Sequence, residues 1–318
     1  MELPFRPLRP WLIERFGGPM HRVALDAGSS CPNRDGTRGR GGCVYCDVEG
    51  SGTGALKSGL DLAEQLRRGM ARVARRDPGT GVIAYLQSYS NTYVEEARLD
   101  EVLAALEPHL APAGPVRCVA AATRPDTLPP WALERLAQLA RRVEVWVELG
   151  LEAASDAVLT DINRLHTVAE FEDAAARARG AGLLVVGHAI LGLPGDEREG
   201  ARRTAELLAR TGVEGVKVHN ILVLKRTQLA HRFAQGDFEP LDAETYVQWL
   251  ADFVERLAPE QVLHRLTADS PLENRLAPFW GVHKNEIRAR LAAELERRGT
   301  RQGSLSPAGR GSARSSGT

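Results

Sequence analysis

The chain has 318 residues, and its 41 Lys or Arg balance its 41 Asp or Glu. That balance excludes a partner selected by overall charge and leaves only local patches to attract polyanions. No apolar run reaches the ~18 residues of a membrane span, and residues 1–11 lack the apolar stretch and small-residue cleavage site of a secretory leader, so no membrane partner is expected. Three of the four cysteines share one loop. That is no extracellular disulfide framework and points to a reducing cytoplasm.

In chain order, residues 22–27 read as a first strand, and the loop with Cys31, Cys43 and Cys46 follows directly. Leu62, Leu66, Met70 and Val73 give a helix over 62–75, with Asp61 placed to cap it. Strands at 82–87, 116–122, 143–151, 183–191 and 213–222 alternate with helices at 99–106, 130–141, 168–178 and 199–210. Thr167 and Glu170 form a capping-box pair ahead of the 168–178 helix. Six βα-like units in series predict an α/β fold of parallel strands covered by helices, as an open barrel or a doubly wound sheet.

After Leu224 the pattern changes to a helix at 243–257, a short strand at 261–266 and a basic helix at 284–298. The expected division is therefore a core over 1–224, a small α/β extension over 225–298 and a tail over 299–318. The tail is rich in Ser, Gly and Arg with a single Leu, and it is expected to be disordered.

The spacing Cys-x11-Cys-x2-Cys supplies three thiolates, one short of a closed tetrahedral site. Two readings follow. A structural zinc would take these cysteines and a histidine such as His21, giving a binding module without redox chemistry. An iron–sulfur cluster would leave one iron open for chemistry. Cys118 lies inside an apolar strand and reads as an inert buried thiol. Tyr45 precedes the last cysteine, and Gly39, Gly41 and Gly42 let the loop wrap a bulky group. The loop also follows the first strand of a βα series, where parallel barrels build their active sites.

These features resemble the radical S-adenosylmethionine (SAM) superfamily, in the branch that contains the catalytic subunit of the elongator complex. They are closer still to a bacterial family of stand-alone proteins in that branch. The resemblance rests on Cys31-Pro-Asn-Arg-Asp-Gly-Thr, Gln87-Ser-Tyr-Ser-Asn-Thr-Tyr93, Thr123-Arg-Pro-Asp126, Asn163-Arg164, Leu191-Gly-Leu-Pro-Gly195 and His264-Arg-Leu-Thr267. It implies a partial (β/α)6 barrel and a [4Fe–4S] cluster held by Cys31, Cys43 and Cys46. The cluster would bind SAM and cleave it reductively to a 5′-deoxyadenosyl radical that takes hydrogen from a substrate. It also implies a one-electron donor such as flavodoxin or ferredoxin, and a substrate such as the wobble uridine side chain of a tRNA. A small molecule or a protein remains an alternative substrate. Where many relatives carry Gly-Gly-Glu after the second strand, this chain has Gln87, Ser90, Asn91 and Thr92, whose oxygens become candidates for the SAM ammonium. Tyr45, Arg164 and Leu193, the last in the turn after the fifth strand, complete the cofactor-binding candidates. Glu152 and Leu165 stand where relatives often have Gln and Gly.

Alternation along the strands separates a helix-facing side from a lumen side. Glu144, Trp146, Glu148, Gly150 and Glu152 share the lumen side of the fourth strand. Buried carboxylates need partners, so Glu148 is a candidate contact for SAM, with Arg124 and Arg164 as alternative ion-pair partners. Tyr85 and Gln87 take the lumen side of the second strand, His188 that of the fifth, and Lys217 and His219 that of the sixth. Arg124, His188, Lys217 and His219 are the substrate-binding candidates, and Lys217 with His219 would suit an anionic group. No residue is assigned as a catalytic acid or base. Lys225, Arg226, Arg288, Arg290, Arg297 and Arg298 are candidates for phosphate contacts.

Overall fold

A computed structural model of the chain describes residues 3–47 and 55–307. The described chain opens with helix α1 (Leu8–Phe16), strand β1 (Met20–Leu25) and a short helix α2 (Pro32–Asp35) inside the cysteine loop. It continues with α3 (Leu62–Arg76), β2 (Gly81–Leu86), α4 (Glu96–Leu106), β3 (Val116–Thr123), α5 (Pro130–Leu139) and β4 (Glu144–Glu152). Then come α6 (Asp156–Asp161), α7 (Val168–Gly180), β5 (Leu184–Leu191), α8 (Arg198–Thr211) and β6 (Gly215–Asn220). The last stretch holds β7 (Val223–Leu224), α9 (Gln228–Gln235), α10 (Ala243–Arg256), β8 (Val262–Arg265), β9 (Arg275–Ala277) and α11 (Lys284–Arg298).

Seven strands form one parallel sheet in the order β1-β2-β3-β4-β5-β6-β8. A doubly wound sheet requires a reversal of strand order. This sheet has none, so every crossover lies on the same face and the sheet curls into an open barrel. The curl brings its two edges near each other, since Arg22 of β1 lies 3.0 Å from His264 of β8. β8 extends the sheet beyond the expected core boundary at Leu224, while β7 and β9 pair antiparallel to each other.

The two faces carry different cores. Outside, Leu86, Val119, Val147, Leu149 and Val185 pack under Leu66, Leu103, Leu136, Phe171 and Leu208 of the helices. Inside, Ile83, Tyr85, Cys118, Ala120, Trp146 and Val186 form a second cluster closed by Leu12 of α1. Trp11 of α1 meets Trp146 at 5.9 Å between ring centroids. α1 is thus a plug for the lumen. It had no strong sequence signal because it is short and carries Pro10 in its first turn, where a missing N–H leaves no helical bond unmade.

Helix ends follow expectation where capping chemistry is local. Asp61 accepts from Glu64 N, and Thr167 with Glu170 forms the full capping box. The tail departs from expectation. Residues 299–307 are not disordered; only 308–318 lie outside the described residues. Gln302 is buried, donates to Ala258 O (2.8 Å) and Gln261 O (2.7 Å), and accepts from Arg6 N (2.9 Å). Amide hydrogen bonds, rather than apolar burial, hold this segment, which is why its composition was misleading.

An ion network ties the C-terminal helices to the barrel. Asp252 of α10 accepts from Arg198 (2.6 Å) and Arg202 (2.9 Å) of α8 and from Arg298 (2.7 Å) of α11. Burial opposes ionisation of Asp252, but the guanidiniums outweigh it and hold the carboxyl well below its usual range. Arg297 and Arg298 hold Glu294 down at about 2. Arg298→Ala is therefore expected to cost about 2–3 kcal/mol at pH 7. Depressed carboxyl pKa values contribute stability that is full above the unfolded range and lost as pH falls through the folded values. Urea unfolding of wild type and variant should show a gap that narrows below about pH 4, and a pH-independent gap would contradict this account.

Candidate functional site

The cysteine loop leaves the C-terminal end of β1 and is fixed to the loop that follows α6. Asn33 donates to Asn163 O (2.5 Å) and Arg164 O (3.0 Å), and Asn163 returns with bonds to Arg40 O (3.1 Å) and Gly42 O (2.7 Å). Val44 N completes the seam on Ile162 O at 3.0 Å. Asn163 (φ 54°) and Leu165 (φ 62°) are left-handed here, a conformation that favours glycine and strains a leucine. Below the seam, Val44, Ile162, Leu193, Ile190 and Ile221 form an apolar cluster, with Tyr45 packed against it. The Leu193 side chain is spent in this packing, so what that turn offers a ligand is backbone.

N–H donors face the sulfurs. Arg34 donates to Cys46 Sγ (3.2 Å), while Asn33 and Arg164 approach Cys43 Sγ at 3.8 and 3.9 Å. Burial, and then Cys43, pushes the Cys46 thiol up to about 12 despite the pull of Arg34. Arg164 also bridges to Glu152 (3.3 Å) and donates to Gly150 O (3.2 Å). A Cβ at Gly150 would stand 2.3 Å from Glu152 Oε1 and 2.4 Å from the Arg164 guanidinium, so a larger residue there would displace this ion pair.

A chain of polar contacts runs from this loop round the barrel rim. Arg124 is tied to Asp126 by two bonds of 2.8 Å and donates to Arg164 O at 2.8 Å. Ser90 bonds the Thr123 and Thr127 hydroxyls (2.8 and 2.6 Å), and Thr92 bonds Thr123 Oγ1 and Thr127 O. The hydroxyls of Ser90 and Thr92 are thereby engaged within the protein. Asn91 donates to Leu86 O and Ala122 O, which leaves its carbonyl oxygen unpartnered. Asn33 Oδ1, Ser88 Oγ, Arg124 Nη1 and Arg164 Nε are likewise buried without a partner. An unmet buried polar atom costs about 1–3 kcal/mol. These acceptors and guanidinium donors, with Asn33 and Arg164 also approaching Cys43 and Arg34 approaching Cys46, suit a ligand that carries both an ammonium and a carboxylate. Among the described residues no three side chains of His, Cys, Asp or Glu are gathered closely enough to hold a metal ion.

Deeper in the lumen the expected strand faces converge. Glu148 pairs with Lys217 (2.7 Å), His188 (2.9 Å) and Arg22 (3.4 Å), and Lys217 also donates to Tyr85 Oη (2.9 Å). Burial opposes the Glu148 carboxylate, but Lys217 and Arg22 prevail and keep it ionised. Burial draws Lys217 down to about 8 and lowers His188, His219 and His264, so these imidazoles are neutral at pH 7. His219 stacks on His188 at 5.4 Å, and its Nε2 has no partner.

Of the residues singled out from sequence, Glu148, His188, Lys217 and His219 thus form one group, and Cys43, Tyr45 and Arg164 another. Gln87 follows the end of β2, and its N–H donates to Leu25 O at 3.1 Å. Arg124 is a structural clasp on the Arg164 loop. His21 cannot complete a cysteine site, because it stands near the opposite end of β1 and pairs with Asp77 at 2.7 Å. Sequence reading missed Arg22 and His264 as partners in the lumen, although their alternation phase was available. It also missed Asn33 and Asn163 as a staple, which no periodicity reveals.

Comparison with known proteins bears on the family and the fold. The pattern of the Radical SAM superfamily matches residues 34–208, and that of the Radical SAM C-terminal domain matches residues 213–297. The uncharacterized protein YtqA of Bacillus subtilis is 36% identical over 306 residues, covering 95% of this chain and 92% of its own. The tRNA uridine(34) acetyltransferase of Methanocaldococcus jannaschii is 26% identical over 161 residues, covering 49% of this chain and 29% of its own. The structure of Methanocaldococcus infernus Elp3 with an N-terminal deletion shares the fold, with a TM-score of 0.70 at 17% identity over 89% of this chain and 64% of that one.

The lumen group generates a stability prediction. Lys217→Met strands a buried carboxylate and should cost about 3–5 kcal/mol, whereas the double variant Glu148→Leu/Lys217→Met should recover most of that loss. Denaturant unfolding of wild type and the three variants, including Glu148→Leu alone, measures it. Additive losses in the double variant would refute the pairing.

Proposed function

The chain belongs to the radical SAM superfamily, and from that premise we propose that Cys31, Cys43 and Cys46 hold a [4Fe–4S] cluster and that SAM occupies the adjoining rim. The family implies SAM and an iron–sulfur cluster, and the chain is a radical SAM enzyme. The observation that carries the assignment of residues is the rim itself, where N–H groups of Arg34, Asn33 and Arg164 approach the sulfurs of Cys46 and Cys43, and loops after β2, β3 and α6 bring unpartnered buried atoms of Asn91, Arg124 and Arg164. Held by these residues, the cluster would supply one-electron reductive chemistry toward SAM, the source of a radical able to take hydrogen from a substrate.

The protein's own side chains do the rest. Arg34, Arg164 and Asn33 direct N–H groups at sulfur, which favours thiolate ligands. Asn91 Oδ1 and Asn33 Oδ1 would accept from the SAM ammonium, and Arg124 Nη1 and Arg164 Nε would meet its carboxylate. Ser90 and Thr92 hold the rim in shape through Thr123 and Thr127. Tyr45 and the apolar cluster beneath it exclude water on the loop side. In the lumen, Lys217, His188 and His219 would receive a polar or anionic group of the substrate, with Glu148 keeping Lys217 positioned. These groups fix geometry; the cofactors carry the chemistry.

The substrate reading is RNA, in particular the wobble uridine side chain of a tRNA. Likeness to the elongator branch and to a tRNA uridine(34) acetyltransferase supports it. A flavodoxin or ferredoxin would donate the electron. Among the described residues no helix is long and apolar enough to cross a membrane, and a cytoplasmic location fits the reducing environment that free thiols require.

Anaerobically purified wild type is expected to be brown, with an absorbance shoulder near about 400 nm and bound iron. Cys43→Ala should lose the iron and the dithionite-dependent formation of 5′-deoxyadenosine from SAM. A colourless wild type with stoichiometric zinc would defeat the proposal. For the substrate, nucleoside mass spectrometry of tRNA from a strain lacking the gene should show a changed wobble-uridine modification, and an unaltered profile would remove the tRNA reading.

A further inference from the structure

The overall charge is zero, yet it is not evenly spread. A cleft of about 1270 Å³ runs along the open side of the barrel between β1, β8 and the segment that leads into α11. Seven Arg or Lys side chains line it, against two Asp. Both acids are already engaged, Asp77 by His21 at 2.7 Å and Asp269 by Arg275 at 3.1 Å. Among the described residues, Arg9, Arg265, Lys284 and Arg288 are exposed and have no carboxylate within ion-pair distance. The rest of the basic C-terminal helix behaves differently. Arg290 pairs with Glu286, and Arg297 and Arg298 pair with Glu294, all outside the cleft. On α11, then, the unpaired Lys284 and Arg288 line the cleft, and the paired Arg290, Arg297 and Arg298 lie outside it.

An aromatic ring stands among these charges. Phe279 lines the cleft and is 63% exposed. The cleft wall is also continuous with the lumen, because Arg22 and His264 belong to both: they line the cleft and reach the Glu148 group. Unpaired cations that track a groove, with an exposed ring beside them, fit a single-stranded nucleic acid, whose phosphates need charge and whose bases need a flat apolar face.

We propose that this cleft docks a single-stranded segment of RNA, with its phosphates on Arg9, Arg265, Lys284 and Arg288 and a base stacked on Phe279. The proposal rests on the reading of the substrate as RNA and adds where that RNA lies. A ligand held there has its path into the lumen beside Arg22 and His264, towards Lys217.

Fluorescence anisotropy of the anaerobically prepared full chain with a fluorescein-labelled oligoribonucleotide, repeated across a salt series, tests it. Arg9→Ala/Lys284→Ala/Arg288→Ala should bind about tenfold more weakly or worse, and its log–log salt slope should flatten by about 2. Phe279→Ala should weaken binding and Phe279→Tyr should retain it. A control that removes three cations from outer helix faces, Arg67→Ala/Arg135→Ala/Arg210→Ala, should bind as wild type does. RNA binding by wild type that the cleft variants leave unchanged would overturn the cleft and spare the RNA reading. Absence of RNA binding by wild type would overturn both. Polyglutamate bound as tightly as the oligoribonucleotide would assign the cleft to an acidic protein and overturn the proposal.

Discussion

Every strand of the sheet is hydrogen-bonded to its predecessor in the barrel, and every crossover therefore turns the same way. This one constraint decides where chemistry can occur. Helices fall on the outer face, so the inner face of each strand is free to carry polar side chains. Loops at the C-terminal ends gather at one rim, which is where the cysteine loop and the loop after α6 meet. The sheet stops at seven strands without closing, so β1 and β8 leave an open side. Rim, lumen and open side are three consequences of one winding rule.

Within that frame, charge is sorted rather than balanced locally. Glu148 sits deep in the lumen and is met by Lys217, His188 and Arg22. The carboxylate stays ionised because its partners outweigh the cost of burial, and it in turn opposes the loss of the Lys217 charge that burial promotes. The outer helices neutralise most of their arginines at short range. Four unpaired cations, Arg9, Arg265, Lys284 and Arg288, line the open side, so a chain with no net charge still presents a local cationic groove there.

Much of this was legible in the sequence because a strand converts spacing into direction. Glu148, His188, Lys217 and His219 lie on three strands in phases that alternation assigns to the lumen side, but Glu148 meets Lys217, His188 and Arg22 there and not Arg124 or Arg164. The cysteine spacing and its place after β1 were equally visible. Long-range polar pairing was not. Ser90 and Thr92 look like free acceptors in sequence, but Thr123 and Thr127 from another βα unit claim their hydroxyls. Arg124 reads as a substrate contact until Asp126 is seen to hold it. The helix α1 and residues 299–307 escaped for a different reason. Each is stabilised by what it touches at great sequence distance, and neither carries a periodic signal of its own.

That distance has a temporal side. Gln302 bonds Arg6 across 296 positions of chain, and its amide also pins the backbone at Ala258 and Gln261, next to β8. During synthesis the cysteine loop emerges early and α1 earlier still, but the clasp that seats the chain's beginning against β8 is among the last described segments to leave the ribosome. The floor of the barrel is thus closed by a contact between segments far apart in the chain, so residues 299–307 and the segment before α1 depend on each other for their place.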